Sequence, residues 1–137
     1  MRRSHTICLS IERPFDDVYN YLSRPANFEN WAAVEPGSFK PLENGDWLGD
    51  TPWGPRHFRF CVPNNFGVLD HAMFIPGGEI DYTPMRVMPN DTGTELTFTF
   101  YRRAGMDDAV FASAIEWIHT DLLTLKSLLE AGNRPAV

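Results

Sequence analysis

The stretch DDAVFASAIEWIHTDLLTLKSLLEA, residues 107–131, decides the fold. It contains no Pro or Gly. Phe111, Ile115, Ile118, Leu122, Leu125 and Leu129 recur at alternating spacings of four and three, which lays them along one stripe of an α-helix. Asp107 and Asp108 suit the positive N-terminal end of that helix, Lys126 lies near its last turn, and Gly132 supplies a stop. At about 1.5 Å per residue the helix is roughly 35 Å long. A helix of that length with a single apolar stripe needs a broad apolar partner.

The rest of the chain supplies one. In His5–Glu12, Ile7, Leu9 and Ile11 alternate with Thr6, Cys8 and Ser10, the period of a half-buried strand. Pro14 then opens a short helix, with Asp16 and Asp17 in its first turn and Phe15, Val18, Tyr19 and Leu22 at helical spacing. Pro25 starts a second, with Phe28 and Trp31 on its apolar face. Pro and Gly punctuate the middle of the chain as in a β-meander. A weak strand is expected over 37–42, one through Trp47, and others over 56–62, 66–75, 79–88 and 94–103. Asn44-Gly45, Asn64-Asn65, Pro76-Gly77-Gly78 and Pro89-Asn90-Asp91-Thr92-Gly93 join them, and TPWGP (51–55) interrupts one.

The fold expected is therefore α+β. A curved antiparallel sheet of six to seven strands grips the long C-terminal helix, and two short helices follow the first strand. Such a helix against a curved sheet leaves a gap near its middle, which the short helices can close at one end. The whole chain, 1–137, reads as a single ligand-binding domain.

This order resembles the START or SRPBCC superfamily, the helix-grip fold of the birch pollen allergen. Four stretches are similar to its bacterial polyketide cyclase/dehydrase branch. They are RPFDDVYNYLSRPANFENWA (13–32), FGVLDH (66–71), PMRVMPNDTGTELTFTFYRRAGM (84–106) and DLLTLKSLLE (121–130). The resemblance implies an internal cavity with Trp31 near its mouth. It does not imply one activity, because the superfamily mixes cyclases, carriers and receptors.

Composition narrows the partners. A net charge of −6 argues against a nucleic-acid surface, which needs clustered Lys and Arg. No apolar run is long enough to span a bilayer, and the N-terminus lacks the apolar core of a signal peptide. Cys8 and Cys61 read as free thiols in a reducing cytoplasm. His5, His57, His71 and His119 are scattered, no phosphate loop or nucleophile motif is present, and neither metal nor cofactor is expected. Aromatics make up 13% of residues, with four Trp and ten Phe, enough to build pocket walls as well as a core. Apolar residues on both strand faces further suggest a homodimer.

Candidate site residues follow from strand register. Pairing Ile75 with Glu79 puts Val68, Asp70, Ala72 and Phe74 on one face with Ile80, Tyr82, Pro84 and Arg86. Pairing Cys61 with Val68 adds His57 and Arg59, and pairing Met88 with Thr94 adds Leu96, Phe98 and Phe100. If this face lines the cavity, Asp70, Tyr82 and Arg86 are the candidate catalytic groups, with Asp70 and Arg86 paired inside. Trp31, Trp47, His57, Arg59, Phe74, Phe98 and Phe100 would then contact ligand. If it faces outward, the same charges form an ordinary surface salt bridge. The inward set is then Phe58, Phe60, Val62, Leu69, Met73, Ile75 and Met85. Trp53 reads as a loop anchor, Trp117 as facing the sheet or a partner, and Asp121 as part of a solvated helix face. The function expected is binding of a small hydrophobic or aromatic molecule. The alternatives are a cyclase or dehydratase acting by acid–base chemistry on an oxygenated substrate, and a protein-interaction module without ligand.

Overall fold

The computed structural model describes residues 1–132; the remaining five residues of the expected domain, 133–137, lie outside the described residues. The order of elements is β1 (Ser4–Ile11), α1 (Phe15–Leu22), a 3₁₀ helix (Pro25–Asn30), β2 (Lys40–Pro41), β3 (Trp47–Thr51), β4 (Gly54–Phe60), β5 (His71–Phe74), β6 (Ile80–Thr83), β7 (Met85–Asn90), β8 (Gly93–Tyr101) and α2 (Asp108–Ala131). Every strand pair is antiparallel.

The helix α2 forms as its stripe requires. Asp107 caps it, Oδ1 accepting the Val110 N–H at 2.8 Å. Phe111, Leu122, Leu125 and Leu129 are buried against Ile7, Ile11, Val18, Val87 and Leu96. Ile115 and Ile118, in the middle of the stripe, are only partly buried. Lys126 ties the helix to β1, donating to the Ser10 carbonyl at 2.6 Å and to Glu130 at 2.8 Å.

The strands form two sheets, β1-β8-β7 and β2-β3-β4-β5-β6. The expected strand 79–88 breaks at Pro84 into β6 and β7, which raises the count to eight. Proline has no N–H to give a ladder. Its carbonyl instead accepts the Thr99 N–H at 2.9 Å, and the next N–H, of Met85, goes to the Asp70 carboxylate at 2.9 Å. The two sheets meet at this corner. The expected strand 66–75 begins only at His71. Residues 66–70 form a connection held by a bridge between Val68 and Arg86 and by the Val87 N–H donating to the Gly67 carbonyl at 3.0 Å. Gly67 has φ of +72°, and a Cβ there would overlap the Val87 carbonyl oxygen. TPWGP is the tip of the β3–β4 hairpin rather than an interruption, with Thr51 paired to Gly54.

The registers decide which face is inside. Ala72 pairs with Tyr82 and Phe74 with Ile80, in the register expected from the Pro76-Gly77-Gly78 turn. Cys61 lies opposite Asp70 rather than Val68, a shift of two that preserves the face. In the last hairpin Thr94 pairs with Pro89, not Met88. β7 runs on to Asn90, β8 starts at Gly93, and Asp91 turns the chain at φ +53°. That slip of one residue sends Leu96, Phe98 and Phe100 to the face opposite Arg86, beside Met85 and Val87. This apolar face is the inner one.

Candidate functional site

Between the middle of α2 and the inner sheet face lies a partly open cavity of about 120 Å³. β4 and β5 give Phe58, His71 and Met73; β6 gives Thr83; β8 gives Phe98 and Phe100. The helix contributes Ala114, Trp117, Ile118 and Asp121, and the connector before it contributes Arg103 and Met106. The 3₁₀ helix and the segment after it close one end with Phe28 and residues 31–34. Phe28 is the hub of this closure, its ring within 5.2–5.6 Å of the rings of Trp31, Phe39, Phe58, Phe60 and His71. At the other side Trp53, on the β3–β4 turn, meets Trp117 with ring centroids 5.8 Å apart, and both are about half exposed.

Three ionisable groups line this chamber, and they differ in how they are satisfied. His71 is buried and lies within 3.2 Å of the Leu69 carbonyl through Nδ1. A carbonyl only accepts, so Nδ1 carries the proton and Nε2 presents a lone pair. Burial pushes the imidazole pKa down, outweighing the Leu69 carbonyl and the Asp70 charge, and keeps it neutral. Asp121 makes no hydrogen bond or ion pair among the described residues, and burial alone raises its carboxyl to about 6. Arg103 packs its guanidinium over Phe100 at 5.5 Å and lies 3.2 Å from Asp81, but Nε is not aligned for a hydrogen bond. Burial lowers its pKa, with Asp81 opposing.

The sequence-expected residues divide between the two faces. Trp31, Phe98 and Phe100 line the cavity. Trp47 is on the inner side but stacks on Phe39 at 4.9 Å, in a second small core with Val34 and Phe58, and does not reach the chamber. His57, Arg59 and Phe74 lie on the outer face, where His57 and Phe74 pack together at 5.7 Å and Arg59 covers the Phe74 ring at 5.1 Å. Asp70, Tyr82 and Arg86 are outside as well, so their expected inward placement is corrected. The apolar set of opposite parity fills the interior, and an arginine there would lose its water.

The expected Asp70–Arg86 pair does form, at 3.1 Å, but with the guanidinium 54% exposed over a carboxylate only 8% exposed. Asp70 also accepts from the Tyr82 hydroxyl at 2.7 Å and from the Met85 N–H. Burial raises its pKa, but these donors together hold it below the usual carboxylate range. Its visible work is to satisfy the strand break at Pro84. Arg59 pairs with Asp46 instead, through two bonds of 2.9 and 3.0 Å, and this pairing lowers the Asp46 pKa.

His71 and Asp121 are the cavity groups that strand and helix patterns did not single out. A signal for His71 existed, since it has the parity of Leu69 and Met73, the apolar alternative for the inner face. Asp121 lies one residue off the stripe, beside Leu122, and only the width of the gap under α2 turns it inward. Among the described residues no three His, Cys, Asp or Glu side chains group as a metal site. Cys8 and Cys61 are exposed free thiols, and no helix among the described residues is long and apolar enough to cross a membrane.

No family model matches the sequence, and no curated protein matches it. Solved structures do match in shape. XoxI of Bacillus cereus superposes with a TM-score of 0.74 at 13% identity, over 96% of this chain and 99% of that one. A START superfamily protein of Mycobacterium smegmatis gives 0.70 at 10% identity, over 93% and 97%. Ara h 8.0201 gives 0.67 at 9% identity, over 96% and 99%. With α2 held against an antiparallel sheet and two short helices after β1, the chain has the helix-grip fold of the START superfamily.

Proposed function

We propose that this domain binds a small, largely apolar molecule about the size of a single ring in the cavity beneath α2. The observation that carries the reading is the chamber itself, walled by Phe28, Trp31, Phe58, Phe98 and Phe100 yet left unfilled. Protein interiors are close-packed, so an aromatic-lined void at the centre of a fold is a feature to be explained. Its size sets the class of ligand. A dry engineered cavity of about 150 Å³ accommodates benzene, whereas this one measures about 120 Å³. A multi-ring polyketide would need the mouth at Trp53 and Trp117 to open widely. The cavity also weighs against a ligand-free interaction module.

A saturation experiment tests this. Toluene, followed by amide and methyl NMR shifts of the full chain, is expected to bind saturably with Kd on the order of 0.1–1 mM. The largest shifts should fall at Phe98, Phe100, Ala114 and Ile118. Filling the chamber with Ala114→Leu should abolish binding while the protein stays folded. Binding with unchanged affinity in that variant, or no saturable shift at all, would refute the assignment.

A second reading has one observation in its favour. A carboxyl that titrates near 6 in the same chamber as a neutral imidazole is the equipment of a proton-transfer enzyme. The acid–base groups of a cyclase or dehydratase would then be Asp121 and His71, since Asp70, Tyr82 and Arg86 face away from the chamber.

A further inference from the structure

The chamber is not a uniform apolar void, and its polar groups narrow the ligand further. Asp121 offers two carboxylate oxygens that meet no donor among the described residues. His71, only 7% exposed, has its proton committed to the Leu69 carbonyl, and Nε2 has no hydrogen-bond partner among the described residues. One group comes from the helix and the other from the sheet, so they border the chamber from opposite walls. Acceptors without a protein donor in a partly buried site are satisfied by water or by a ligand. The walls ask for donors.

Charge then selects among donors. Apart from Asp121, the titratable or charged groups lining the chamber are His71 from β5 and Arg103 from the β8–α2 connector. The 3₁₀ helix, the segment after it and the β3–β4 turn contribute aromatic and aliphatic side chains only. A charged ligand of either sign would give up its hydration among walls that are mainly aromatic and aliphatic, and would meet a like charge at Asp121 or Arg103. A neutral hydroxyl meets neither cost and can donate its one proton to the Asp121 carboxylate.

We infer that the cavity selects a neutral hydroxylated ring of the phenol class, with the Asp121 carboxylate as the hydrogen-bond acceptor of its one hydroxyl proton. This rests on the reading of the chamber as a ligand site and adds the chemistry of the ligand. Phe58 and Phe98 supply faces and edges for the ring itself. The pairing is pH-dependent in one direction. Asp121 is a carboxylate above about 6 and a weaker acceptor once protonated. Burial pushes the His71 pKa down and so favours its neutral form.

The test compares four probes of one ring each, toluene, phenol, benzylamine and benzoate, on the full chain at pH 7.5 and pH 5.0. Phenol is expected to bind roughly tenfold tighter than toluene at pH 7.5, as for a hydrogen bond to a charged acceptor, and the ratio should shrink at pH 5.0. Benzylamine and benzoate should bind more weakly than phenol at pH 7.5. Asp121→Leu should bring phenol down to the level of toluene while leaving toluene within about threefold of its wild-type affinity. Should that variant fail to fold, Asp121→Asn, which keeps a neutral acceptor, should retain part of the phenol preference and lose its pH dependence. Toluene and phenol binding equally, or benzoate or benzylamine binding best, would overturn the inference and leave the cavity reading standing. If none of the four binds, both fall together.

Discussion

Asp121 is a carboxylate with no partner among the described residues, placed where burial disfavours its charge, so removing the charge should stabilise the protein at neutral pH. The carboxyl titrates at about 6 in the folded chain, against an ordinary value of 3.8. At about 1.4 kcal/mol per pKa unit, that difference corresponds to a penalty of roughly 3 kcal/mol. The group is only partly buried, and solvent screening reduces the expected penalty to roughly 1–2 kcal/mol. The sign follows from proton counting. Between 3.8 and about 6 the folded state holds a proton that the unfolded state has released, so stability falls as pH rises through that window. Above it the penalty is complete, and below 3.8 it is absent. Asp121→Asn removes the titration and nearly keeps the shape. Urea melts of both proteins between pH 3.5 and 7.5 should show the variant more stable by roughly 1–2 kcal/mol at the upper end. The two should converge at the lower end. A gap that does not depend on pH, or a variant less stable at pH 7.5, would refute the argument.

Other outcomes can be checked in the same way. Asp70→Ala should destabilise by roughly 2–4 kcal/mol, because it strands the buried Met85 N–H at the strand break and removes the acceptor of the Tyr82 hydroxyl and the partner of Arg86. Arg86→Met should lower stability by only about 1 kcal/mol, because the guanidinium is half in water and Asp70 keeps its other donors; equal losses for the two variants in urea melts would contradict this. Gly67→Ala should cost about 3 kcal/mol or more in thermal melts, since it combines a left-handed backbone with a clash on the Val87 carbonyl. Leu122→Ala, at a fully buried point of the α2 stripe, should lower stability by roughly 2–5 kcal/mol in the same assay.

The architecture was legible because its decisive signals are local. An uninterrupted 25-residue run from Asp107 to Ala131 and an alternating first strand leave little choice of element, and the three-residue Pro76-Gly77-Gly78 turn fixed the β5–β6 register. Cavity chemistry was less legible because it depends on parity across several turns at once. Pro89–Gly93 reads as a five-residue connector, yet the ladder continues to Asn90 and Gly93. A single residue there separates Phe98 and Phe100 from Arg86, so the right aromatic pair was matched with the wrong polar neighbours. Arg59 chose Asp46, whose position in the Asn44–Asp46 turn no strand pattern addresses. Asp121 could not be placed by periodicity, because a helix bordering a void exposes a wider arc to the interior than one packed on a flat face.

The pairing of β1 with β8 has a consequence for how this chain is made. Ser4 lies opposite Tyr101 and Ile11 opposite Thr94, so the earliest strand waits for one of the latest. At synthesis rates of about 5–20 residues per second, that wait is roughly 5–20 s. During it the apolar side of β1, with Ile7 and Ile11, has no permanent neighbour. The β3 to β6 hairpins can pair as they emerge, since each finds its partner next in line. The chamber thus comes into being late: β8 collects β1, and α2, emerging after both, roofs over a space that had until then been an open trough.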